Sequence, residues 1–302
     1  MVTDKVLTDS HPAGIGLAPE LAEKRECLLS LLRSLQSVAV AFSGGVDSAV
    51  VAKAAYLALG ANAVAVTAHS PSVAEFDRVD AESMAAQIGI RHHTIQTHEF
   101  NNPDYEANDG SRCYHCKTEL YDQLAALRPN LGVSSIVSGA NLDDLGEFRP
   151  GLAAAAEHGV RHPLQETGLT KAEVRALARD WKLPIWDKPA SPCLSSRIAP
   201  GVAATPERTS RIEAAERFLR ERGFADCRVR LHEGDLARVE VPINGLAWFF
   251  VEENRGAFAA ELKRLGFRYV ALDLEGLRSG NLNELLSLEL KARYLPAERP
   301  TP

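Results

Sequence analysis

Val38-Ala39-Val40-Ala41-Phe42-Ser43-Gly44-Gly45-Val46-Asp47-Ser48 decides the fold of this chain: an apolar strand ends in a turn that opens directly into a helix. Two adjacent glycines let the backbone bend through positive φ and approach an anion closely. Ser43 and Ser48 add hydroxyl donors, and the helix that follows presents free N–H groups and its positive dipole end. Phosphate is therefore expected at Phe42, Ser43, Gly44, Gly45, Val46, Asp47 and Ser48. The kinase-type phosphate loop needs a lysine straight after its last glycine, and none stands here.

Working outward, apolar segments at Val38–Phe42, Ala63–Ala68, His92–Gln96 and Ser135–Ser138 alternate with helical patterns at Ser48–Leu59, Val73–Ile88 and Cys116–Leu127. That alternation predicts a doubly wound α/β domain, a parallel sheet covered on both faces, with ligands gathered at the carboxyl ends of its strands. Thr170-Lys171-Ala172-Glu173 is a capping box that opens a further helix to about Trp181. A boundary near Pro200 divides a phosphate-binding domain over residues 19–200 from a second unit over 201–296. There Thr205-Pro206-Glu207 starts a helix through Arg222, strands follow at Cys227–His232 and Ala237–Val241, and a helix over Leu246–Leu265 leads into Arg268–Leu274. This order predicts a smaller α+β domain. Residues 1–18 and 297–302 are expected to be disordered.

Composition sets the limits. The 302 residues, 45% hydrophobic and 25% charged with a formal charge of −6, describe an ordinary globular protein without the basic field of a nucleic-acid binder. No apolar run is long enough to span a bilayer, so a cytoplasmic protein with small-molecule partners, no nucleic acid and no membrane is expected.

Asp47 beside a triphosphate implies a magnesium ion between the two negative charges; the alternative is a cap on the helix at Ser48. A second strand-to-loop turn at 137–144 carries Gly139 and the pair Asp143 and Asp144. Asp144 completes the magnesium site, or the pair is a solvated loop and cap. Arg149 binds phosphate or pairs with Glu147.

Five cysteines without a secretory signal argue against a disulfide framework, and Cys27 and Cys227 read as structural. Arg112-Cys113-Tyr114-His115-Cys116-Lys117 is a C-x-x-C, and Cys193 lies in the loop Ser191-Pro192-Cys193-Leu194-Ser195-Ser196-Arg197. The spacing suits structural zinc, with His115 or a distant histidine as fourth ligand, or an iron–sulfur cluster with one iron left open; a redox dithiol is a third reading.

The phosphate loop resembles that of ATP pyrophosphatases, the PP-loop enzymes that adenylate a substrate and release pyrophosphate. With RCYHCK, GANLDDLGEFRPG and SPCLSSRIAPG in order, residues 20 to 275 resemble the LarE family of ATP-dependent sulfur transferases, which builds the nickel-pincer nucleotide cofactor. SPCLSSRI discriminates this family from NAD synthetases and tRNA thiolases. The resemblance implies pyridinium-3,5-biscarboxylic acid mononucleotide as substrate, ATP and Mg2+, an acyl-adenylate, and sulfur transfer to a thiocarboxylate. It implies either a sacrificial Cys193 or, as three cysteines favour, Cys113, Cys116 and Cys193 on a [4Fe-4S] cluster that takes sulfide from a sulfur donor. Homo-oligomers are implied too, with the second domain binding substrate phosphate and joining subunits.

In Arg228-Val229-Arg230-Leu231-His232, alternation puts both arginines on one strand face. Arg228 and Arg230 match the family's substrate-phosphate residues, and Arg197, four residues beyond Cys193, adds to the clamp; otherwise the strand arginines form salt bridges to glutamates such as Glu216, Glu233 or Glu240. Two further readings compete with the main one: a tRNA thiolase with an iron–sulfur cluster, and a non-catalytic nucleotide-binding module with structural zinc.

Overall fold

The computed structural model describes residues 17–146, 148–189 and 191–278. The expected disorder over residues 1–16, the expected tail at 297–302, and Glu147 as a partner of Arg149 lie outside the described residues.

Helix α1 (Pro19–Ser34) leads into strand β1 (Val38–Ala41), followed by α2 (Val46–Leu59), β2 (Ala63–His69), α3 (Glu75–Ile88) and β3 (Arg91–Gln96). Then come α4 (Pro103–Ala107), α5 (Arg112–Leu131) and β4 (Ser135–Val137), and after them α6 (Pro150–Glu157), α7 (Pro163–Glu166) and α8 (Lys171–Asp180). The strands form a parallel sheet in the order β3-β2-β1-β4. Strand alternation divides the core. Val38 and Val40 pack with Leu28, Val50, Met84 and Leu177 from α1, α2, α3 and α8, whereas Ala39 packs with Leu124 and Ala155 from α5 and α6. Both faces are covered, as the doubly wound expectation requires, so β1 and β2 need apolar side chains on each side. β3 lies at the edge and can be polar.

The second unit holds α9 (Pro206–Arg220), β5 (Arg228–His232), β6 (Leu236–Glu240), α10 (Glu252–Arg264) and β7 (Tyr269–Leu272). Its sheet runs β5-β6-β7, antiparallel then parallel, against Ile212, Leu219, Phe258 and Leu262. Leu194 and Ile198 already belong to this second core, and the Ala199 amide donates to Leu231 O at 2.9 Å.

Two helices differ from expectation. The pattern over Cys116–Leu127 begins earlier, at Arg112, which puts both cysteines of C-x-x-C on the first turns of α5. The pattern over Leu246–Leu265 breaks at Val251, which is extended at φ −74° and ψ 123°, with 3-10 turns before it at Ile243–Phe250. Consecutive apolar residues cannot all face one side of a regular helix. Trp248 meets Phe224 edge-on and Phe249 packs against it at a tilt, while Phe250 stays 70% exposed.

Candidate functional site

β1 ends in the phosphate loop. Gly44 takes φ +73°, but Gly45 sits at φ −76°, so only one of the two glycines uses the left-handed region expected of both. The loop closes on its own hydroxyls: the Ser43 amide and Ser48 Oγ lie at 3.2 Å, the Gly45 amide donates to Ser43 Oγ at 3.3 Å, and Ser48 Oγ donates to Gly45 O at 3.0 Å. No side chain caps α2, which leaves its first-turn amides to an anion. Phe42 and Val46 are core residues, 3% and 5% exposed, so they offer the loop backbone only.

The second turn presses against this one. A Cβ on Gly139 would stand 2.7 Å from the Ser48 amide nitrogen and 2.9 Å from the Asp47 carbonyl carbon. Asn141 links the carboxylates: its Nδ2 donates to Asp47 Oδ1 at 3.2 Å and its amide to Asp144 Oδ2 at 2.9 Å. Asp47 does not cap α2, whose N-cap is Gly45; instead it pairs with the Lys171 ammonium. Asp143 accepts the Lys171 amide at 2.9 Å, and Asp144 closes a capping box and meets Arg149 at 2.7 Å. Lys171 is a residue that the sequence reading did not single out: it reaches the loop from the start of α8 and pairs with Asp47. Two carboxylates on one bridge suit a magnesium ion that takes its remaining ligands from phosphate and water.

The Cys193 loop docks at the same carboxyl edge. The Leu194 amide donates to Ser72 O, past the end of β2, at 2.8 Å. Tyr105 hydroxyl meets Ser195 Oγ at 2.8 Å, both fully buried, and Asn108 Nδ2 holds Ala199 O and Val202 O, each at 2.9 Å. Asn108 Oδ1 in turn accepts from Arg112. This brings Cys193 toward the C-x-x-C. Protein packed around the Cys113 thiol raises its pKa although the residue still opens to solvent; Arg112 pulls it down and Cys193 adds to the rise. The Cys116 thiol is pushed up as well, by burial first and then by the carboxylate of Glu99. Glu99 is 2% exposed; its Oε1 accepts from Ser70 and Ser72, and its Oε2 has no hydrogen-bond partner among the described residues. Among the described residues no three His, Cys, Asp or Glu side chains stand close enough to hold a metal ion.

The arginines are buried rather than displayed. Arg197 donates to Glu216 at 3.0 Å and to Cys193 O at 2.8 Å, at 1% and 0% side-chain exposure for the ion pair. Arg230 forms a fork on Glu240 at 3.0 to 3.2 Å, and its Nη1 donates to Ser196 O at 3.1 Å. Arg228, 9% exposed, is lowered by burial and then by the charge of neighbouring Arg197. The face read as an open clamp is thus lined by buried ion pairs to Glu216 and Glu240, while it still gathers three guanidinia beside the Cys193 loop.

A sequence model of the family described as NAD synthase matches residues 30–111. The chain is 46% identical over 267 residues to "Uncharacterized protein slr1717" of Synechocystis sp., covering 88% of this chain and 99% of that one. It is 38% identical over 268 residues to the pyridinium-3,5-bisthiocarboxylic acid mononucleotide synthase of Lactiplantibacillus plantarum, covering 88% of this chain and 96% of the relative. A tRNA-specific 2-thiouridylase MnmA of Xanthobacter autotrophicus is 31% identical over 202 residues, 51% of this chain and 49% of its own.

Proposed function

Because the chain belongs to the LarE family of sulfur-inserting synthases, we propose that it adenylates the carboxylates of pyridinium-3,5-biscarboxylic acid mononucleotide and replaces an oxygen of each by sulfur. A substrate carboxylate attacks the α-phosphate of ATP, pyrophosphate leaves, and sulfur then displaces AMP from the acyl-adenylate. The observation that carries this reading is the meeting of two devices at one sheet edge. The phosphate loop follows β1, and the Cys193 loop is bonded to Ser72 just beyond β2.

In the first half-reaction, the Gly44–Ser48 amides and Lys171 hold phosphate, while Asp47 and Asp144 hold magnesium, with Asn141 fixing their relation. In the second, Arg197, Arg228 and Arg230 attract the substrate's phosphate beside Cys193. Cys113, Cys116 and Cys193 suit a [4Fe-4S] cluster better than zinc. A closed zinc site needs four ligands, and three cysteines are brought to this region, whereas a cubane can leave one iron without a protein ligand. The cluster would supply an open iron for sulfide. Exposed Ile243, Phe250, Tyr269 and Leu274 on the second unit fit a contact between copies of the chain.

The tRNA thiolase reading has less behind it, since that relative aligns with only 51% of the chain. The test is pyrophosphate release by anaerobically purified protein given ATP with and without the pyridinium biscarboxylate, alongside metal analysis. Substrate-dependent release and bound iron are expected. Release that ignores the substrate would remove the adenylation step, and stoichiometric zinc without iron would remove the cluster.

A further inference from the structure

Asn108 stands between the two cysteine segments with the conformation and the bonds of a clasp. It ends α4 in the left-handed region, at φ 53° and ψ 44°, and is 2% exposed. L residues are strained there, and asparagine is among the few that adopt it with any frequency. The side chain shows why it is used. Its Nδ2 donates to Ala199 O and Val202 O at 2.9 Å each, the two ends of a turn that the Val202 amide closes on Ala199 O at 3.0 Å. Its Oδ1 accepts from Arg112, the residue just before Cys113. Aspartate lacks the donors, and glycine lacks all three contacts. The main chain repeats the connection: the Gly201 amide donates to Asn108 O at 2.9 Å and the Ala204 amide to Glu106 O at 2.8 Å, while the Tyr105 hydroxyl meets Ser195 Oγ at 2.8 Å. The segment that leads into Cys113 and Cys116 is thereby sewn to the segment that follows Cys193.

We propose that Asn108 is a positioning residue for the sulfur-transfer half of the reaction: it holds the Cys193 loop beside the C-x-x-C in the chain itself, before any cluster is bound. The proposal deepens the sulfur-transfer reading and rests on it for the use of the three thiols. Without the Asn108 amide, Ala199 O and Val202 O lose their donor at a place where Ala199 is 5% exposed. Buried carbonyls left without donors draw the chain toward water, and the turn at 199–202 would then part from α4 and carry the Cys193 loop with it. The same loss frees Arg112 at the start of α5. Both cysteine segments therefore depend on one side chain. The clasp lies apart in sequence from the phosphate loop at 42–48, so its effect should fall on sulfur delivery more than on adenylation.

The test is made on cluster-free, reduced protein. A short bis-maleimide is added, and peptide mass spectrometry of the monomer-mass product reads the share of Cys193 joined to Cys113 or Cys116 rather than to exposed Cys27. Wild type should give that cross-link as its main Cys193 product. Asn108→Gly keeps the left-handed backbone and removes the three side-chain bonds; it should lower the share about threefold or more, as loss of buried hydrogen bonds should. Asn108→Asp keeps an acceptor for Arg112 but sets a carboxylate against two carbonyl oxygens, so the share should fall at least as far. Tyr105→Phe removes only the hydroxyl that meets Ser195 Oγ, should lower the share by a smaller factor, and guards against Asn108 variants that misfold. In protein reconstituted with iron and sulfide, thiocarboxylate formed per pyrophosphate released should fall in the same order, a ratio that general loss of stability would leave unchanged. No cross-link from Cys193 to Cys113 or Cys116 in wild type, or an unchanged share in the folded variants, overturns the proposal. Cross-linking uses neither ATP nor substrate, so wild-type protein that cross-links but releases no pyrophosphate in response to substrate would overturn the adenylation reading alone.

Discussion

Gly139→Ala tests whether two strand-end turns must touch for the phosphate loop to work. The added Cβ would meet the Ser48 nitrogen at 2.7 Å, the Asp47 carbonyl carbon at 2.9 Å and Ser48 Cα at 3.0 Å. All three are backbone atoms, so no rotamer change relieves them. Ordinary contact begins near 3.4 Å, which means that the start of α2 and the turn after β4 must part by about 0.7 Å. Overpacking of this kind costs about 1–3 kcal/mol, or about 2–12 °C in Tm for a domain of this size. The functional loss should be larger than that stability loss implies, because displacing Asp47 and Ser48 moves the amides that hold phosphate; a shift near 1 Å can cost about 100-fold in rate. The assay is substrate-dependent pyrophosphate release at saturating ATP, with Tm measured on the same preparation. A folded variant that releases pyrophosphate within about threefold of wild type would refute the claim that this contact sets the loop.

Lys171→Met should raise KM for ATP about 10-fold or more through loss of a charge-assisted phosphate contact, while Tm moves by less than about 2 °C because a partly exposed ion pair contributes little. Steady-state kinetics and thermal melts check both, and an unchanged KM would leave Lys171 as a mere partner of Asp47. Cys193→Ala should keep substrate-dependent pyrophosphate release within about threefold of wild type and yield no thiocarboxylate by mass spectrometry; loss of release in a folded variant would count against separate halves of the reaction. Stability should fall as pH drops. Burial holds His92, His162 and His232 below 6.5, so below that value the unfolded chain binds protons that the folded chain resists. His158 is raised and works the other way: despite burial, the Ala154 carbonyl and Asp122 hold its proton, a stabilisation present below 6.5 and lost as pH rises. With three groups against one, Tm at pH 5 should lie below Tm at pH 7.5, and an equal or higher value at pH 5 would contradict the balance.

The first domain was legible because its signals are local. β1, the glycine turn and the start of α2 lie within a dozen residues, and buried parallel strands announce themselves as apolar runs. Lys171 was hidden by distance, 124 residues from Asp47. The capping box Thr170–Glu173 was visible in the sequence and did place Lys171 at the first position of a helix; what it did not show was that this helix begins beside the phosphate loop. The arginine strand was half legible. Alternation correctly put Arg228 and Arg230 on one face, but only packing reveals that Glu240 on β6 and Glu216 on α9 meet that face in the interior.

The central claim is that this chain couples adenylation to sulfur transfer. Its most direct test is mass spectrometry of the nucleotide product and of the intact chain after anaerobic incubation with ATP, magnesium, sodium hydrosulfide and pyridinium-3,5-biscarboxylic acid mononucleotide. Exchange of substrate oxygen for sulfur, with one AMP formed per sulfur and the mass of Cys193 unchanged over repeated turnovers, is the predicted result. AMP formation without any sulfur in the product would contradict it, and loss of sulfur from Cys193 in step with product would replace the cluster route by a sacrificial one.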